Sequence, residues 1–244
     1  MKSSIAGLAA LLATFLCGNA LATIIGTFNI AGTMTVTPTA ITWTLNVPPF
    51  TADQATIGSG GTGIYSALLG GATVTIDDLD AATEPVGSSF AAQPFISFGA
   101  NPALSSLEIN FIFAGIYSST DCNASPAAVG QTCTVSLPGG LLSPFNFANN
   151  PPPAPLGPQA TMTWAAQGVS ANGLDTWVGN FTSQFNTPFQ TVLAALATNG
   201  SLTTSYSATF TVQTASSSVP EPSTVTLMVL ALMSMLFFLR RRDA

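Results

Sequence analysis

The chain alternates. In Phe28-Asn29-Ile30-Ala31-Gly32-Thr33-Met34-Thr35-Val36 the even positions are apolar or Gly and the odd ones mostly polar, a period of two. After Pro38 the alternation resumes in Ile41-Thr42-Trp43-Thr44-Leu45-Asn46-Val47, now with the odd positions apolar. Two such runs around Thr37-Pro38-Thr39-Ala40 predict a β-hairpin. Residues 72–77, 107–113, 132–137, 161–165, 176–182 and 205–213 follow the same rule. They are rich in Thr, Val, Ile and Phe, and clusters of Gly, Pro, Asn and Ser separate them, so strands joined by turns are expected. A helix is predicted over about 188–198. There Thr187 is a candidate N-cap, Pro188 suits the first turn, Gln190 completes a capping box and Asn199-Gly200 stops the run. The expected fold is all-β: a single antiparallel β-sandwich or barrel-like domain with one short helix.

The two ends depart from that pattern. Lys2 precedes an apolar stretch from Ile5 to Cys17 that is too short to span a bilayer, and Ala20-Leu21-Ala22 offers a small-x-small cleavage site at Ala20 and Ala22. Residues 1–22 therefore read as a signal peptide, 23–215 as one extracytoplasmic domain and 216–244 as a linker and membrane segment. The proline-rich stretch 144–158 is expected to be a long loop within that domain, since too few residues lie beyond it for an independent core. In the tail, Val219-Pro220-Glu221-Pro222-Ser223 leads into an apolar run over 225–239 and then Arg240, Arg241 and Arg242. As a helix that run reaches about 22 Å, a short span. The arginines, as a cytoplasmic stop, place the body outside the cytoplasm.

Pro-Glu-Pro, short apolar helix and Arg cluster, in that order, resemble the PEP-CTERM sorting signal of Gram-negative bacteria over about residues 219–244. The resemblance implies that exosortase, an integral-membrane transpeptidase, recognises Pro220-Glu221-Pro222 and processes the tail. It further implies transient anchoring at the inner membrane, then release to the cell surface or medium. Exopolysaccharide is implied as a candidate partner, in biofilm or extracellular matrix.

Charge narrows the function classes. All four basic residues lie at the ends; between Thr23 and Val219 there is no Lys, Arg or His. That stretch carries Asp53, Asp77, Asp78, Asp80, Glu84, Glu108, Asp121 and Asp175, a formal charge of −8 from those eight side chains. Without cations to neutralise phosphates, nucleic-acid binding is excluded. Without His or Lys in the body, Ser-His-Asp, Cys-His and Schiff-base chemistry are excluded too. The expectation is a protein that is not an enzyme and has no cofactor and no metal. A glycoside hydrolase using two of the eight carboxylates is a minor alternative. Cys122 and Cys133 remain once Cys17 leaves with the signal peptide, and an even pair in an oxidising compartment is expected to form a disulfide.

Four further features bear on function. Gly58-Ser59-Gly60-Gly61-Thr62-Gly63 matches a dinucleotide fingerprint, but no βαβ unit surrounds it, and a flexible surface loop is the better reading. Asp77, Asp78 and Asp80, with Glu84 nearby, could offer oxygen ligands to calcium, although acidic turns at strand ends are commonly only solvated. Trp43, Trp164 and Trp177 either fill the core or form a sugar-stacking platform, which is the carbohydrate-binding alternative. Thr33, Thr35 and Thr37 present alternate hydroxyls, the basis of an ice- or crystal-surface-binding alternative.

Overall fold

The computed structural model describes residues 24–44, 53–58, 60–151 and 158–215. In chain order the elements are β1 (Ile24–Val36), β2 (Ala40–Thr44), β3 (Gln54–Ile57), β4 (Thr73–Ile76), β5 (Leu79–Asp80), β6 (Gln93–Ser97), β7 (Leu107–Ile112) and β8 (Thr132–Cys133). Then come β9 (Asn146–Asn150), β10 (Gln159–Ser170), β11 (Asp175–Phe185), α1 (Phe189–Asn199) and β12 (Leu202–Thr214). Hydrogen bonding runs β11-β12-β1-β3-β4-β6-β7-β10, and β10 pairs back onto β11. Eight antiparallel strands thus close into a barrel, and closure removes the exposed sheet edges that an open sandwich would leave.

Two short ribbons branch from the barrel at one end. β1 pairs through Ile30 and Ala31 with β3, but through Thr33 to Val36 with β2, and β5 extends that branch. On the other side the first half of β10 pairs with β9, which carries β8, while its second half pairs with β7. The termini of the barrel meet at the opposite end, where Ile24 faces Gln213 and the Ala215 N–H donates to the Leu174 carbonyl.

The inward faces follow the alternation. Phe28, Ile30, Met34 and Val36 of β1 are buried, as are Tyr206, Ala208, Phe210 and Val212 of β12. Rings fill the barrel: Trp164 stacks on Phe181 with centroids 4.0 Å apart, Phe28 on Phe210 at 4.9 Å and Phe95 on Trp177 at 5.7 Å. At this size a barrel interior is just wide enough for side chains to fill it.

Several expectations are corrected. The Pro-rich stretch 144–158 is not one loop, because Asn146–Asn150 forms β9, held on both sides by β8 and β10; residues 152–157 lie outside the described residues. The strand expected over 132–137 shrinks to β8, since beyond Cys133 the Thr134 hydroxyl is drawn to Asn146 and the Tyr117 N–H. β3, β5, β6 and β9 lie outside the runs in which the alternation predicts strands. The helix stands where expected, but Thr187 does not cap it. Pro188 occupies the N-cap position with no side-chain bond of its own. The Phe189 N–H instead donates, at 2.9 Å, to Oδ1 of Asn149 on β9, forty residues away. Gly200, with φ of 73°, ends the helix in the left-handed conformation that glycine takes without steric cost.

Candidate functional site

The sorting residues Val219, Pro220, Glu221, Pro222 and Ser223, the stop Arg240, Arg241 and Arg242, the cleavage residues Ala20 and Ala22, and the expected membrane helix all lie outside the described residues. Within them, Cys122 sits on the 3-10 turn Thr120–Asn123 and Cys133 on β8. The structure pairs the two as a disulfide with Cα atoms 5.1 Å apart, and it ties that turn to the sheet.

The acidic cluster is occupied by the fold. Asp78 Oδ1 accepts the Trp43 N–H at 2.9 Å, and the Asp77 carbonyl accepts the Trp43 indole N–H at 3.0 Å. Glu84 Oε2 accepts the Asp80 N–H at 2.7 Å, and Asp80 Oδ1 accepts that of Ala82 at 2.8 Å. Partial burial holds the Asp77 and Asp78 carboxyls above the ordinary carboxylate value, and the neighbouring Asp53 charge adds to this in both. The Asp80 and Glu84 carboxylates thus accept turn N–H groups, the Asp78 carboxylate accepts one from β2, and Asp77 takes part through its backbone carbonyl. Among the described residues no group of three or more His, Cys, Asp or Glu is placed to hold a metal ion.

In the glycine-rich stretch, Thr62 and Gly63 are held against β1. Thr62 Oγ1 lies 2.9 Å from Thr27 Oγ1 and accepts the Thr27 N–H at 3.0 Å. Gly63 has φ of 59°, and a Cβ there would overlap the Ile25 carbonyl. The glycine therefore serves a close approach of two backbones and not a phosphate cradle. All three tryptophans are core residues, exposed by 0% (Trp43), 3% (Trp164) and 1% (Trp177), so none can stack on a sugar. Of the threonine row, Thr35 is hydrogen-bonded to Thr203 across the strands and Thr37 donates to Ala40 within the turn.

What the fold does assemble is a broad uncharged face. β1, β12, β11 and β10 are the long strands and neighbour one another, so their outward residues form rows across the sheet. Ala31, Ser207, Thr182 and Thr163 make one row, and Asn29, Thr209, Asn180 and Ala165 the next. Thr27, Thr211, Val178 and Gln167 make a third. At ordinary strand spacing these rows span about 14 Å and stand about 7 Å apart. Asp175, at the end of β11, is the one charged residue in the four strands. Towards that end the face dips into a depression of about 240 Å³ where Asn110, Gln167, Gln213, Thr176 and Thr211 stand beside Val169, Trp177 and Val178. Amides and hydroxyls there offer paired donors and acceptors without charge. Alternation alone marks each of these residues as outward; that they meet on one face follows only from strand order.

Residues 218–242 match the PEP-CTERM protein-sorting motif. No curated protein and no solved structure matches the chain. The motif marks an exported exosortase substrate that passes through a membrane-anchored stage before release.

Proposed function

We propose that this protein is a non-catalytic component of the extracellular matrix that associates with neutral exopolysaccharide through the outer face of β1, β12, β11 and β10. The observation that carries the reading is the uncharged depression bounded by Asn110, Gln167, Gln213, Thr176 and Thr211 on that face. A polysaccharide presents many weak hydroxyl donors and acceptors in a repeating array. A wide amide and hydroxyl surface matches that chemistry without excluding a neutral polymer by charge. The anionic, cation-free body disfavours anionic polymers and membranes by like-charge repulsion. The sorting motif supports delivery to the compartment where such material is made, and the carboxylates engaged in turns support a binding rather than a catalytic role.

The test follows the tagged full chain in cells that carry an exosortase. Gln167→Ala with Gln213→Ala should move the protein from the matrix fraction to the medium while leaving tail processing intact. Replacing Pro220, Glu221 and Pro222 by Ala should instead leave full-length protein in the inner membrane. Matrix retention unchanged by the double amide variant would overturn the proposed surface.

A further inference from the structure

At the barrel end opposite the termini lies a second concavity of different character. It is a cavity of about 90 Å³, walled by Val36, Ile112, Phe147, Met162, Leu196 and Leu202. These side chains come from β1, β7, β9, β10, α1 and β12, so the cavity forms where the branching ribbons and the helix fail to close over the barrel mouth. On the scale of roughly 30 Å³ per water it has room for about three methylene-sized groups. Its mainly apolar lining is short of dispersion partners across the opening, which favours an apolar occupant. Leu142 lines the cavity yet is 54% exposed, and beside it Leu141 is 48% exposed. The adjoining loop, tied to Ser143 by the Gly115 N–H, exposes Phe113 and, by 82%, Ile116. An exposed apolar rim around an apolar cavity is the arrangement of a ligand mouth rather than of a packing fault.

The wall also carries Asp80 and Glu84, the latter buried; turn N–H groups engage Asp80 Oδ1 and Glu84 Oε2, which leaves Asp80 Oδ2 and Glu84 Oε1 as acceptors, and no cation occurs among the described residues. We infer that this end of the barrel binds the chain of a neutral aliphatic alcohol. The alkyl chain lies against the apolar wall of Phe147, Met162, Leu196 and Leu142, and the hydroxyl donates to the carboxylate oxygens on the same wall. A fatty acid anion offers no donor and would set a third carboxylate beside Asp80 and Glu84, so it should bind at least about tenfold more weakly. The cavity is separate from the uncharged depression, which lies towards the opposite end of the strands.

The experiment uses full-length protein in phosphatidylcholine nanodiscs with hexadecanol bearing a diazirine near its methyl end. Cross-linked residues are mapped after chymotrypsin digestion. The expected result is labelling at Leu142, Met162 or Leu196, displaced by dodecanol and at least about tenfold less readily by dodecanoate. Labelling of the apolar tail run serves as an internal reference that neither competition nor Leu196→Trp should change. Leu196→Trp, which fills the cavity, should abolish the body labelling. The rim variant Leu142→Asp, at an exposed position, should reduce it as well. Labelling confined to the tail, body labelling that persists in both variants, or equal displacement by dodecanoate would each overturn the inference.

Discussion

The capping of α1 from β9 gives a measurable difference between a local and a tertiary helix start. Asn149 is 2% exposed and makes three strong contacts: it accepts the Phe189 N–H at 2.9 Å and donates to Gln190 Oε1 at 2.9 Å and to the Ala128 carbonyl at 3.2 Å. Gln190 in turn donates to Gln131 Oε1 at 2.7 Å, so one amide network joins the helix, β9 and the loop before β8. Asn149→Ala removes a helix cap, typically about 1 kcal/mol, and strands buried partners at a further cost of about 1–3 kcal/mol. The expected loss is therefore about 2–4 kcal/mol, or about 5–15 °C in Tm for a domain of this size. The three buried tryptophans provide the signal, because their emission shifts to the red on unfolding. Thr187→Ala, at the exposed position that the local pattern designates as the cap, should change stability by no more than about 0.5 kcal/mol. If Thr187→Ala were the costly change and Asn149→Ala harmless, the tertiary cap would be refuted.

Asp77 and Asp78 have folded-state pKa values raised above the ordinary 3.8, so the folded protein holds those protons more tightly than the unfolded chain. Stability should therefore rise as pH falls from neutrality through the window just above that value, and Asp77→Asn with Asp78→Asn should flatten the rise; an unchanged Tm-against-pH slope would contradict the assignment. Gly63→Ala forces a side chain into positive φ against the Ile25 carbonyl and should cost about 2 kcal/mol or more, seen as a fall in denaturation midpoint. Exported protein should show no alkylatable thiol under denaturing, non-reducing conditions, and Cys122→Ser with Cys133→Ser should lose roughly 3 kcal/mol in the chain-entropy account of an eleven-residue separation. Two free thiols in fresh material would refute the pairing in the exported protein.

Alternation is a local property, and the sequence displays it without help. Phe28 to Val36 and Ser205 to Gln213 show which side chains face inward, because a pleated strand turns successive residues to opposite faces whatever its partners are. The helix range, its stop at Gly200 and the sorting tail with its Pro-Glu-Pro and arginines are also legible, each resting on neighbours a few positions apart. Strands that break local rules are not legible. β5 has two residues, β9 is mostly Asn, and β6 contains Pro94, tolerated next to an irregularity in its register with β7. Only the tertiary structure decides that β10 returns to β11 and closes a barrel, because that choice rests on pairings between residues far apart in the chain. The same non-local register buries the three tryptophans, sets the Asp78 carboxylate against the Trp43 N–H and gives the helix its cap from Asn149. It also lays four separate polar faces side by side as one uncharged surface, which no single segment of the sequence could announce.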